Sequence, residues 1–140
     1  MAGQKIREVM TANPETVETT DTIRDAAKRM REKDIGAVIV MNKDRVGGVL
    51  TDRDITVRAV AEGRDPDQVR VKDICSADIM TLSPDDSIDR AIEVMRNKAV
   101  RRIPVVEGGK PVGMVSIGDL AMERDERSAL ASISAAPPNT

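Results

Sequence analysis

The chain contains no Phe, Trp, Tyr or His, and a single cysteine, Cys75. Without aromatic rings, the core must be built from Val, Ile, Leu, Met and Ala, and no platform exists for stacking the bases of single-stranded nucleic acid. Without His, the commonest general base and the commonest metal ligand are missing. One thiol excludes an intramolecular disulfide. No stretch approaches the roughly 20 apolar residues of a membrane span. The opening Met1-Ala2-Gly3-Gln4-Lys5-Ile6 has no apolar run of signal-peptide length, so a cytoplasmic protein is expected. The formal net charge of −2 supplies no general pull toward nucleic acid or anionic lipid, and neither is expected as a partner.

What is present suits one globular domain. At 140 residues, 40% hydrophobic and 33% charged, the chain can bury a core and stay soluble. Its organisation comes from an internal repeat. A shift of 65 residues aligns 6–55 with 71–120 without a gap. Identities include Ala12/Ala77, Thr16/Thr81, Asp21/Asp86, Ile23/Ile88, Ala26/Ala91, Met30/Met95, Gly48/Gly113 and Asp54/Asp119.

Each copy reads as β-α-β-β-α. A short extended piece (Glu15–Glu18; Met80–Ser83) is followed by Asp21 or Asp86 at an expected N-cap. Ile23, Ala26, Ala27 and Met30 then recur at helical spacing, as do Ile88, Ala91, Ile92 and Met95. Two apolar strands follow, joined by a tight turn (Asn42-Lys43-Asp44; Glu107-Gly108-Gly109-Lys110), and a second helix begins at Thr51 or Ser116. Half a chain of this size is marginal as a core. The two copies are therefore expected to pack face to face about a pseudo-twofold axis, leaving a groove with two related sites. Repeat one covers about 6–62 and repeat two about 71–125 of a module spanning 1–127. The Ala/Ser/Pro-rich tail 128–140 is expected to be flexible.

Both repeats carry a Gly-x-x-Thr/Ser-x-x-Asp segment at the strand-to-helix junction: Gly48-Val49-Leu50-Thr51-Asp52-Arg53-Asp54 and Gly113-Met114-Val115-Ser116-Ile117-Gly118-Asp119. Two readings remain open. The hydroxyl and the carboxylate three residues on form a capping box with Asp in place of Glu. The same geometry offers free N–H groups and a hydroxyl to an anion, and a carboxylate that can accept two hydrogen bonds from a ribose diol. The glycine would let a ligand approach the backbone.

These segments, with the duplicated unit, the opening Met10-Thr11-x-x-Pro14-x-Thr16-Val17 and Arg101-Arg102-Ile103-Pro104-Val105-Val106, resemble a CBS-domain pair, or Bateman module. Residues 5–125 carry the resemblance, and Asp34-Ile35-Gly36-Ala37 is similar to small stand-alone bacterial two-repeat members, some linked to hypoxic or stress responses. The resemblance implies an α+β fold of tandem repeats packed through their sheets, and regulatory binding of AMP, ADP, ATP, NAD or S-adenosylmethionine. It also implies homodimers, an adenine nucleotide as regulatory ligand with no required cofactor, and a regulated partner protein of unknown identity. Some members bind no nucleotide and act through protein contacts alone.

Carried over by motif, Asp54 with Thr51 and Asp119 with Ser116 would hold ribose or phosphate. Ile35-Gly36-Ala37 and Val100-Arg101-Arg102 would border the base. The Asp119 pocket would borrow from Met10, Thr16 and Val17, and the Asp54 pocket from Cys75 through Met80, Thr81 and Leu82. Arg101 and Arg102 could reach phosphates where repeat one has Gly36 and Ala37, so tighter binding is expected at Asp119. No catalytic constellation and no metal ligands are expected. Cys75 and the helical methionines read as packing, and Arg24 to Lys33 as a solvated face. Val57, Ala59, Val60 and Ala61, with Leu120, Ala121 and Met122, are candidates for an apolar dimer face.

Overall fold

A computed structural model describes residues 4–124. The expected tail from Ser128 lies outside the described residues. The chain forms two compact units that do not coincide with the two sequence repeats. Among the described residues, one comprises 14–79 with 108–111, the other 4–13, 80–107 and 112–124. The first few residues of repeat one therefore fold with the body of repeat two.

In the unit built on repeat one, strand β2 (Thr16–Glu18) runs parallel to β3 (Ala37–Asn42), and β3 pairs antiparallel with β4 (Arg45–Thr51). Ser76 adds an antiparallel bridge to Val49 on the far side of β4. Helix α1 (Ile23–Lys33) precedes β3, α2 (Asp52–Ile55) follows β4 and runs into a π-helical turn (Thr56–Val60), and α3 is Val71–Ile74. In the other unit, β5 (Arg102–Glu107) and β6 (Lys110–Ser116) form the hairpin. β1 (Thr11–Ala12) pairs antiparallel with β6, and Leu82 bridges in parallel to Val105 of β5. Helices α4 (Ile88–Lys98) and α5 (Ile117–Arg124) complete it.

Both sheets thus have one internal order: a lead piece parallel to the first hairpin strand, then the hairpin, then an antiparallel piece. Main-chain bonds follow the same 65-residue translation. Ile6 N–H bonds the Asp86 carbonyl as Val71 N–H bonds that of Asp21, and Arg7 N–H bonds the Pro84 carbonyl as Lys72 N–H bonds that of Thr19.

The N-caps sit one residue later than the sequence suggests. Thr22 accepts from Asp25 N–H and Ser87 from Arg90 N–H. Asp21 and Asp86 instead close the preceding turns, accepting from the N–H groups of Glu18 and Ser83. A carboxylate spent on a turn three residues back is no longer free for the helix start, and the neighbouring hydroxyl takes the cap. Both helices end on a left-handed residue, Asp34 and Ala99.

Each unit has its own aliphatic core. Val17, Ile23, Ala26, Met30, Val38, Val40 and Leu50 pack with Val71 and Ile74 in one. Leu82, Ile88, Ala91, Val94, Met95, Ile103, Val105 and Val115 pack with Ile6 in the other. Ile6, in a 3-10 turn at Ile6–Glu8, and Val71, at the start of α3, are fully buried, so these short lead helices are fastened by side chains as well as main chain. Three details depart from the periodicity: Ala27 is exposed, Ile92 only half-buried, and Val94 takes a core place. Of the expected dimer face, Ala59 and Leu120 are core residues, whereas Val57, Val60 and Met122 are exposed.

Candidate functional site

The repeat-one motif lies where β4 becomes α2. Thr51 Oγ1 accepts from Asp54 N–H at 3.1 Å, and Asp54 Oδ2 accepts from Thr51 N–H at 2.9 Å. The capping-box reading is therefore correct for this copy, with Asp reaching back as Glu does elsewhere. One carboxylate oxygen is engaged by the cap. The other, Oδ1, lies 3.9 Å from Nε of Arg58, whose Nη1 donates to the Ile74 carbonyl at 3.1 Å. Asp52 N–H bonds the Gly36 carbonyl, and Ala37 is in register with Thr51, so the expected base-bordering segment Ile35-Gly36-Ala37 adjoins the motif.

The repeat-two motif is built the same way. Ser116 Oγ accepts from Asp119 N–H at 3.1 Å, and Asp119 Oδ2 accepts from Ser116 N–H at 2.8 Å. Ile117 N–H bonds the Arg101 carbonyl, which brings Val100-Arg101-Arg102 to Ser116. Among the described residues, Asp119 Oδ1 has no hydrogen bond or ion pair. Arg101 and Arg102 are exposed and form no ion pair among the described residues. Val100 and Ile117, with Ile92, Met95 and Leu120, line an apolar cavity of about 340 Å³ between α4 and α5.

The motif glycines have a packing role that the sequence did not announce. A Cβ at Gly48 would run into the Ser76 carbonyl oxygen, and one at Gly113 into the Met10 side chain. In both copies the chain's own lead segment lies against the glycine, so close backbone packing requires a residue without a side chain. Met10 is accordingly placed beside the repeat-two motif and Cys75 beside the repeat-one motif. Thr16 falls in the unit of Asp54, and Met80 and Thr81 in that of Asp119. Val17 and Leu82 have their side chains in the two cores, and the N–H and carbonyl of Leu82 are both bonded to β5.

Cys75 is half-buried against the first core. Burial, and then the nearby Asp54 carboxylate, pushes its thiol pKa up, while Arg58 draws it down. Among the described residues, no three His, Cys, Asp or Glu side chains are grouped to hold a metal ion, and no helix is long and apolar enough to cross a membrane. Arg58 is the site residue that sequence reasoning missed. Its signal was its position four residues after Asp54, one helical turn along the same face.

Comparison with known proteins accords with this architecture. A sequence profile of the family described as CBS domain matches residues 6–60 and again 71–126. Hypoxic response protein 1 of Mycobacterium tuberculosis is 36% identical over 123 residues, spanning 87% of this chain and 86% of that protein. An uncharacterized protein of Methanopyrus kandleri is 36% identical over 116 residues, or 81% of this chain; the match covers 57% of that protein's length. The solved structure of a protein with CBS domains from Burkholderia ambifaria superposes with a TM-score of 0.78 at 32% identity, covering 89% of this chain and 96% of that one. The CBS domain pair of protein MJ0100, solved in complex with 5′-methylthioadenosine and S-adenosyl-L-methionine, is 20% identical and shares the fold, with a TM-score of 0.79 over 89% of this chain and 98% of that one.

Proposed function

The chain belongs to the CBS-domain family as a tandem pair, and from that premise we propose that it is a regulatory module that binds an adenosine-containing ligand at its two motif carboxylates. AMP, ADP, ATP, NAD and S-adenosylmethionine are the candidate ligands. The observation that carries the reading is Asp119 Oδ1, without a hydrogen bond or ion pair among the described residues, beside a hydroxyl at a helix start, in a motif whose backbone is tied to Arg101. An ionised carboxylate with an open oxygen is the group a ribose diol recognises. Arg101, just before β5, and Arg102, its first residue, are exposed, and their guanidinium groups would meet the phosphates. Adenine would lie among Val100, Met10 and Met80 rather than on a ring, so affinity is modest.

The module works by shape and contact, not by catalysis, and acts in the cytoplasm as a homodimer on a protein partner. The exposed Ile117 and Val100, at 56% and 39%, which line the apolar cavity, support an interface on that face.

The absence of Tyr and Trp makes the test direct. Purified protein free of nucleic acid should absorb almost nothing at 280 nm, so a 260 nm band reports bound nucleotide. Thermal shifts with AMP, ATP, NAD and S-adenosylmethionine should then rank the ligands. A flat spectrum and no shift with any of them would replace this reading by a nucleotide-independent interaction module.

A further inference from the structure

The two motif sites differ in what faces the aspartate. Asp54 Oδ1 lies 3.9 Å from Arg58 Nε, and the same guanidinium donates to the Ile74 carbonyl at 3.1 Å. Asp54 has 14% of its side chain exposed, so its remaining oxygen has little other access to solvent. The bonds Ala61 N–H to Thr56 and Arg64 N–H to Ala59 skip five residues, and the turn that carries Arg58 is π-helical. Such turns are uncommon, and many lie at functional positions. The corresponding segment of repeat two continues as the α-helix Ile117–Arg124, and by the 65-residue shift the residue matching Arg58 is Glu123.

We propose that Arg58 is a latch on the Asp54 site, occupying the carboxylate oxygen that a ribose diol would need, so that this site admits an adenosine ligand only when an anionic group on the ligand draws the guanidinium away. The proposal rests on the adenosine-ligand reading above and adds a selectivity to it. At Asp54 a phosphorylated nucleoside outcompetes the bare nucleoside, whereas Asp119 has no latch of this kind among the described residues. The phosphate both supplies a bidentate partner for the arginine and frees the carboxylate.

The test uses Asp119→Ala as the background that isolates the first site, with and without Arg58→Gln, titrated calorimetrically with adenosine and with AMP. Removing the latch should raise adenosine affinity about three- to five-fold, the release of a partly exposed ion pair, and should erase the preference for AMP. Unchanged or weaker adenosine binding in Arg58→Gln overturns the proposal.

A ligand-free readout separates this from failure of the nucleotide reading. The Cys75 thiol faces Asp54, Arg58 and Asp73, and the pH midpoint of its alkylation reports their charges. Arg58→Gln should move that midpoint up and Asp54→Asn should move it down. An unmoved midpoint in Arg58→Gln places the guanidinium elsewhere in solution and ends the proposal whatever binds. Shifted midpoints with no binding of either nucleoside to any variant sink the nucleotide reading, and the latch with it.

Discussion

The two strand-to-helix junctions share one capping box and differ in almost everything around it. Thr51/Asp54 and Ser116/Asp119 make the same pair of bonds within 0.1 Å. Around them, repeat one has Gly36 and Ala37 where repeat two has Arg101 and Arg102, and a π-helical turn with Arg58 where repeat two has a continuous α-helix. Duplication has kept what positions a carboxylate and varied what surrounds it. A capping box is worth keeping for helix stability alone, so the box by itself says little about binding. The differences, not the shared motif, carry the functional information.

The largest expected effect probes the glycines. Gly48→Ala would drive a methyl into the Ser76 carbonyl, which belongs to the main-chain bridge between Ser76 and Val49. Gly113→Ala meets the thioether of Met10, which can change rotamer, and more remotely the Thr11 carbonyl. Gly48→Ala should cost about 2–3 kcal/mol and Gly113→Ala about 1 kcal/mol, by analogy with overpacked cores. Urea unfolding followed by circular dichroism at 222 nm would show whether this order holds; equal costs would mean that the Ser76 segment yields as readily as a methionine.

Removing the capping hydroxyls comes next. Ser116→Ala and Thr51→Ala should each lose about 1 kcal/mol. The former should lose more, because Ser116 starts the eight-residue α5 that carries the core residue Leu120, whereas Thr51 starts the four-residue α2. The reverse order in the same unfolding assay would show that the π-helical turn depends on its cap more than α5 does.

Cys75 gives a smaller effect with a clear sign. With its thiol pKa raised by burial and by Asp54, little thiolate exists at neutral pH. Alkylation at pH 7 should run several-fold slower than for an unfolded control, and Asp54→Asn should speed it. A rate equal to that of the unfolded chain would mean that the segment after α3 opens freely.

The smallest effect lies in the lead segments. Arg7 Nη2 pairs with Asp85 at 2.8 Å, while in the other unit the residue matching Asp85 is Thr20, whose carbonyl accepts from Arg70 Nη1 at 3.1 Å. The hydrogen bond and charge of Arg7 lower the Asp85 pKa. The folded state therefore binds this proton less readily than the unfolded state. Its contribution is fully present above the unfolded value of about 4 and is lost as pH falls through the lower folded value. Both groups are exposed, so the effect is slight and screened by salt. Asp85→Asn should flatten part of the stability loss below pH 4 at low salt, and Thr20→Ala should not.

The repeat, the hairpins, the helix faces and the capping boxes were legible because each has a short period or a fixed offset. The N-cap shift from Asp21 to Thr22 was not, because two adjacent residues can cap and the choice depends on a turn three residues back. The exchange of lead segments came only through the family resemblance, which sends Met10 toward Asp119 and Cys75 toward Asp54; that it makes Ile6 a core residue of repeat two's unit and Val71 one of repeat one's was not legible, since nothing local in a five-residue piece states which sheet edge it joins. That Gly48 and Gly113 pack against the chain's own lead segments was not legible either, since a ligand and a neighbouring segment ask for the same missing side chain. Arg58 could have been read from its spacing to Asp54. Its bond to Ile74, 16 residues away, could not.

The central claim is that the Asp119 motif is the stronger adenosine site, and titration calorimetry of AMP into Asp119→Ala and Asp54→Ala tests it most directly. Loss of charge-assisted hydrogen bonds worth about 1.5–3 kcal/mol predicts that Asp119→Ala weakens the dominant binding event ten-fold or more. Asp54→Ala should leave that event within about two-fold of the parent. Equal weakening by the two substitutions, or a larger effect from Asp54→Ala, would contradict the account.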